Sequence, residues 1–281
     1  MKRILLAISV LMMGGLLAGF SFFGLGGAEE TTLMVYMTGS DLESKGACAT
    51  NDMQEMLNSG VDLSHTNLLV YTGGAKTWHN EKVTISPEVN GLYHLTASGF
   101  EEIDNFPLES MGDPANLTRF LDYAVEKYPA DKYDLVFWDH GNGPVIGYGM
   151  DFLYNKDSLT LPEIRQGLEA SPFGPDKKLD IIGFDACLMA SAELAYTVSD
   201  YADYLISSQE TEPSFGWNYA FLKNIGKHSG KKLAKDITDA YMNYCNATFK
   251  KNALYNTDVT ISVMDLSKAK AVQAAVNALF E

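Results

Sequence analysis

Two side chains stand out as a pair able to do chemistry together, one cysteine and one histidine. Cys187 closes the run Asp180-Ile181-Ile182-Gly183-Phe184-Asp185-Ala186-Cys187, and His140 closes Tyr133-Asp134-Leu135-Val136-Phe137-Trp138-Asp139-His140. Each run is a short apolar stretch followed by a polar reactive group, the pattern of a buried strand that presents a side chain at its carboxyl edge. A thiol beside an imidazole suits acyl transfer. The thiolate attacks a carbonyl, and the imidazolium favours the thiolate and then protonates the leaving amine. A buried core thiol is the ordinary fate of a lone cysteine, but a His-Gly at one strand end and an Ala-Cys at another outweigh that reading. The chain has three cysteines, Cys48, Cys187 and Cys245. An odd number leaves at least one thiol free, and three are too few for a disulfide scaffold. Cys48 and Cys245 either pair or pack in the core, and the sequence leaves both readings open.

The neighbours of the pair suggest supporting roles. A helix expected from Leu188 to about Ser199 places Cys187 at its start, where the dipole and free N–H groups favour thiolate. Gly141 and Ala186 leave room for a substrate carbonyl, so the N–H groups of Gly141 and Cys187 are candidate oxyanion donors. Asp139 adjoins His140, but adjacent strand residues point to opposite faces, which argues against its orienting the imidazole. His65, His79, His94 and His228 lack metal-ligand spacing, and no metal site is read from them. Gly141-Asn142-Gly143 is followed by neither a P-loop lysine nor a dinucleotide fingerprint.

These groups must be held by strands, and the chain supplies them at regular intervals. Strands are expected over 33–38, 67–71, 133–138, 180–184, 204–208 and 259–264, with the alternating segment 82–95 forming a hairpin turned at Asn90-Gly91. Helices are expected from the Gly39-Ser40-Asp41 turn to about 58, and over 114–127, 161–170, 188–199, 231–247 and 268–280. Asp113 caps the second of these with Pro114 at its first position. Residues 141–156 read as a glycine-rich loop. Strands alternating with helices imply an α/β fold, a mainly parallel sheet with helices on both faces. His140 and Cys187 lie 47 positions apart, enough for one crossover between parallel neighbours.

Composition narrows the partners. The 281 residues carry a formal charge of −15, which disfavours nucleic acid and anionic membranes. Lys2 and Arg3, an apolar run over 4–23 and Gly26-Gly27-Ala28 describe a signal peptide over residues 1–28, or an uncleaved membrane anchor. Either reading sets the remainder outside the cytoplasm, secreted or at the cell surface. Membrane contact is expected only if that segment is retained.

The two runs in context, FWDHGNG and IIGFDACLMASAELAY, resemble the clostripain-like cysteine peptidases, relatives of caspases, legumains and gingipains. The likeness extends to Tyr36-Met37-Thr38-Gly39-Ser40-Asp41-Leu42-Glu43, to Tyr71-Thr72-Gly73-Gly74 with Trp78, and to Ser207-Ser208-Gln209-Glu210-Thr211-Glu212-Pro213, about residues 31–265 in all. It implies a caspase-like peptidase domain over 29–281, shortened at its C-terminus, with a Cys187–His140 dyad acting on peptide or protein substrates. Asp185, two residues before the nucleophile, matches the acidic residue at the base of the pocket for a substrate Arg or Lys; its rival role is a helix N-cap. Ser208 and Glu210 are expected beside the substrate, Glu210 as a second carboxylate, with Glu212 a weaker candidate. Relatives are often cut between the His and Cys strands. Lys156, the one basic residue between His140 and Arg165, is the candidate processing site of a zymogen. The chemistry requires no cofactor. The resemblance brings in calcium, although the acidic residues spell no recognisable calcium loop. A peptidase fold kept only for binding, and a Cys-dependent acyl-transferase or peptide ligase, are the alternatives to hydrolysis.

Overall fold

The computed structural model describes residues 30–251 and 258–280. The stretch TTLMVYMT, β-branched and apolar on both sides, forms strand β1 (Thr31–Thr38) and is buried at every position, as a strand covered on both faces must be. Helices α1 (Ser40–Gly46) and α2 (Cys48–Asn58) follow, then β2 (Thr66–Gly73), β3 (Val89–Thr96), β4 (Gly99–Pro107) and α3 (Pro114–Lys127). Next come β5 (Lys132–Trp138), the one-turn α4 (Gly143–Ile146), the hairpin β6 (Tyr148–Asp151) and β7 (Asp157–Leu159), and α5 (Leu161–Glu169). The chain continues through β8 (Leu179–Asp185), α6 (Ala192–Val198), β9 (Ala202–Ser207), α7 (Gly230–Lys251), β10 (Ser262–Asp265) and α8 (Ala269–Asn277).

Eight strands form one sheet in the order β10-β9-β8-β5-β1-β2-β3-β4. The central five, β9 to β2, are parallel, while at the edges β3 pairs antiparallel with β2, β4 with β3 and β10 with β9. Alternate residues of the central strands feed two cores, as the two-residue period of a strand requires. Tyr36, Leu135, Phe137, Ile182 and Phe184 pack against α3, α5 and α6 on one face. Val35, Met37, Val136, Trp138 and Ile181 pack against α2 and α7 on the other. Phe137 stacks on Phe184 with ring centroids 4.7 Å apart, locking β5 to β8 next to their carboxyl ends. The buried hydroxyl of Tyr148 donates toward the carbonyls of Tyr36 and Trp138 at 2.8 and 3.0 Å, which ties the small hairpin to the tips of β1 and β5.

The expected frame is present, with local differences. Helix α3 starts as predicted, with Asp113 Oδ1 accepting the Ala115 N–H at 2.9 Å. Asn90 and Gly91 lie inside β3 rather than at a turn, because the buried Asn90 carboxamide is needed to accept the Glu109 N–H at 2.7 Å; the chain reverses instead between β3 and β4. Strand β4 was not anticipated, since Glu101, Glu102, Asp104 and Asn105 are exposed and interrupt any apolar run. The expected helix to residue 58 is split by Ala47 in the left-handed region, φ 53°. The glycine-rich loop after His140 is ordered into α4 and the β6–β7 hairpin. All three cysteines are free thiols. The N-terminal segment 1–28, read as a leader or anchor, lies outside the described residues. Among those described, no helix is long and apolar enough to cross a membrane.

Candidate active site

Strands β5 and β8 are hydrogen-bonded in register, Trp138 opposite Asp185. His140 and Cys187 each follow two residues later, so the sheet delivers both to the same edge. They line one cavity of about 300 Å³ together with Leu42, Asp185, Glu212 and Gly216. The glycine of the His-Gly pair has a steric cause. A Cβ on Gly141 would sit 1.9 Å from the carbonyl oxygen of Cys187, so no larger residue fits between the two loops.

The loop carrying the nucleophile corrects the sequence-based expectation. Cys187 is not at a helix start. Helix α6 begins at Ala192, and Ser191 caps it by accepting the Leu194 N–H at 3.1 Å. Residues 186–191 form a tight loop instead, with Leu188 left-handed at φ 63° and its N–H bonded to the Glu210 carbonyl at 3.1 Å. Without the expected helix dipole, burial pushes the Cys187 thiol up from its ordinary value, aided by the carboxylates of Asp185 and Asp139. The Glu212 N–H, 3.1 Å from the sulfur, works in the other direction. Neither the Gly141 nor the Cys187 amide donates to a backbone carbonyl among the described residues.

His140 is held from an unexpected direction. Its Nε2–H donates to Asp41 Oδ1 at 3.0 Å, from the first turn of α1. Asp139 is occupied elsewhere, accepting the Met150 N–H at 2.6 Å, in keeping with the strand-alternation argument. Desolvation opposes ionisation of Asp41, but hydrogen bonds from His140 and then Lys45 outweigh it and hold the carboxyl below its usual range.

The cavity floor is acidic. Asp185 is buried, its Oδ1 accepting the Trp217 N–H at 3.0 Å and its Oδ2 the Tyr219 hydroxyl at 2.9 Å. Ser191 takes the capping role weighed for Asp185, and Gly216, at φ 54°, lets its loop pass where a Cβ would come within 2.8 Å of Asp185 Oδ1. Both carboxyl oxygens of Glu212 are buried without a hydrogen-bond partner. Burial pushes the carboxyls of Asp185, Glu212 and neighbouring Asp52 up; repulsion from Asp185 adds to it at Glu212 and Asp52, and repulsion from Glu55 adds to it at Asp185. Two expected substrate residues fall outside this cavity. Glu210 is exposed, and its N–H is held by the Ser208 and Thr260 hydroxyls at 3.2 Å each. Ser208 is buried beneath that turn, its hydroxyl 2.9 Å from the Glu210 carbonyl and 3.0 Å from Thr260 Oγ1. The turn after β9 points Glu210 to solvent and brings Glu212, two residues on, back to the sulfur. Lys156 is exposed at the tip of the β6–β7 hairpin. Among the described residues no three Asp, Glu, His or Cys side chains gather to hold a metal.

The family model described as the Clostripain family matches residues 35–281. The chain belongs to the clostripain family. Clostripain of Hathewaya histolytica is 26% identical over 300 residues, an alignment that takes in 89% of this chain and 56% of that protein. The chain therefore spans little more than half the length of that curated relative. A secreted C11 cysteine protease from Bacteroides thetaiotaomicron, solved with an irreversible peptide inhibitor, superposes with a TM-score of 0.71 at 26% identity, over 88% of this chain and 69% of that one. An inactive zymogen C11 protease from Parabacteroides distasonis shares the fold, with a TM-score of 0.65 at 22% identity over 92% and 68% of the two chains. The mainly parallel, caspase-like architecture of the clostripain family is thus the architecture of this chain.

Proposed function

We propose that this chain is an exported cysteine endopeptidase that hydrolyses peptide bonds after Arg or Lys. The observation that carries the proposal is the meeting of His140 and Cys187 over a cavity floored by Asp185 and Glu212. A P1 guanidinium or ammonium entering that cavity meets two carboxyls, one of them with both oxygens unpartnered. It favours their ionised forms, and the charge-assisted contacts repay its desolvation. A neutral or acidic P1 side chain has nothing to offer there and leaves the floor unsatisfied.

The chemistry then follows from the groups at the rim. The Cys187 thiol gives its proton to His140 and the sulfur attacks the scissile carbonyl. The amides of Gly141 and Cys187 receive the oxyanion. His140 returns the proton to the leaving amine as the C–N bond breaks, leaving a thioester. Water, giving a proton to His140, hydrolyses the thioester, and the proton passes back to the sulfur. The Glu212 amide against the sulfur supports its anionic form in each half-reaction. Maturation by cleavage after Lys156, and action outside the cytoplasm following the N-terminal export signature, belong to the same reading.

The test is cleavage of fluorogenic peptides ending in Arg, Lys, Asp, Asn or Leu by the wild-type chain and by Cys187→Ala. Turnover of Arg and Lys peptides that disappears in Cys187→Ala is the expected result. Turnover after Asp or Asn would keep the dyad and reject the acidic pocket. A folded chain that alkylates at Cys187 but cleaves nothing would reject the peptidase reading in favour of binding.

A further inference from the structure

We propose that Asp41 is a positioning residue for His140, a third member of the catalytic array, an inference that rests on the cysteine-peptidase reading above. The contact is Asp41 Oδ1 to His140 Nε2 at 3.0 Å, between residues 99 positions apart in the chain. An ionised carboxylate can only accept, so the bond places the proton on Nε2 and leaves Nδ1 as the nitrogen free to exchange a proton with sulfur or leaving group.

The contact is built rather than incidental. Asp41 sits one residue after Ser40, which is fully buried and left-handed at φ 49°, a conformation a serine adopts only when its surroundings impose it. The preceding Gly39 N–H is bonded to the Gly73 carbonyl of β2 at 2.9 Å. Two residues beyond Asp41, the fully buried Glu43 anchors α1 from the other side. Its carboxylate accepts the Thr50 N–H and hydroxyl at 2.9 and 2.7 Å and the His79 N–H at 2.7 Å. Asp41 Oδ2 accepts from Lys45 at 3.0 Å, which restrains the carboxylate itself. Strand β1 lies next to β5 in the sheet, so a rigid turn after β1 is the nearest scaffold that can reach the imidazole at the end of β5. Asp139, the sequence neighbour, is spent on the Met150 amide.

Magnitude decides what such a pair does. His140 and Asp41 side chains are 30% and 27% exposed, and an ion pair that open to water adds little to stability. Holding the ring in one tautomer and one orientation is a different matter. Misplacing a general acid/base costs rate, on the order of 10²-fold or more.

The test compares Asp41→Ala and Asp41→Asn with the wild-type chain, each also in a His140→Ala background. The readouts are kcat and KM on Arg peptides and the rate of Cys187 alkylation by iodoacetamide, which needs no substrate pocket. In the His140-containing background we expect kcat to fall by about 10²-fold with KM unchanged, alkylation to slow in both variants, and Tm to stay within the range of a surface substitution. In the His140→Ala background Asp41→Ala should add no further loss, because coupled residues are not additive. Unchanged alkylation, or an equal loss in both backgrounds, would overturn the positioning role. A wild-type chain that leaves Arg and Lys peptides intact would overturn the peptidase reading instead, and the alkylation comparison would still decide whether Asp41 acts through His140.

Discussion

At the scale of single residues, the site is governed by close approaches that a sequence discloses unevenly. Gly141→Ala drives a methyl group into the Cys187 carbonyl. Overpacking of this kind costs about 1–3 kcal/mol, and displacing the nucleophile by an ångström costs about 10²-fold in rate. We therefore expect kcat to collapse while thermal unfolding shows only a moderately lowered Tm. Glu212→Gln removes one of the two carboxyls proposed to face P1. A hydrogen bond to a charged group is worth about 1.5–3 kcal/mol, so kcat/KM for Arg peptides should fall about 10- to 100-fold. Alkylation of Cys187 should persist, since the backbone amide that touches sulfur is untouched. Cys187, His140 and Asp185 were legible because each ends an apolar run and the runs are strands. Glu212 and Asp41 were not assignable in the same way. Whether Glu210 or Glu212 turns inward depends on the hydroxyls of Ser208 and Thr260, and Thr260 is some 50 positions away from either. Asp41 could have been suspected from its place just after β1, but only the strand order makes β1 the neighbour of β5.

At the scale of elements, the hairpin between His140 and Cys187 is the segment in which the proposed processing would have to act. Asn155 and Lys156 are both left-handed, φ 56° and 63°, and the Asp157 N–H bonds to the Tyr154 carbonyl at 3.1 Å. That is the signature of a type I′ turn, in which Asn-Gly is the favoured pair. Lys156→Gly relieves a side chain of a left-handed backbone, worth about 1 kcal/mol, and removes the basic residue as well. Incubation of that variant should show a raised Tm and no cleavage at this position, followed by gel electrophoresis and mass spectrometry. The turn lacked a sequence signal because Lys occupies the position where Gly is usual. Its strands are four and three residues long, too short for alternation to register. By contrast α3 was legible to the residue, since Asp113 and Pro114 supply both the cap and the first position. The helix start after Cys187 was misplaced because Leu188 and Met189 continue the apolar pattern, while the backbone first turns left-handed and waits for Ser191.

At the scale of the whole molecule, the buried carboxyls set how stability responds to pH. Burial pushes Asp134 up to about 8 from 3.8, and Asp52, Asp139, Asp185 and Glu212 are raised for the same reason. Between those limits the folded state holds protons that the unfolded state has released, so unfolding free energy falls as pH rises from about 4 to about 8. Urea titrations across that window should show the decline. Asp134→Asn should recover about 1–3 kcal/mol at pH 8 and nothing near pH 4, where both side chains are neutral. Another consequence comes from the crossover on which Lys156 sits. Strands β5 and β8 are neighbours at the middle of the sheet, hydrogen-bonded in register, so we expect them to stay paired when the peptide between them is cut. A chain nicked after Lys156 thus runs as two polypeptides under denaturing conditions and as one particle in native gel filtration. Such a cut would also divide the proposed roles. One fragment would keep Asp41 and His140, proposed to handle the proton, and the other Cys187, Asp185 and Glu212, proposed to attack and select. Neither fragment alone holds a site, so activity in the nicked protein reports that its two pieces are still paired.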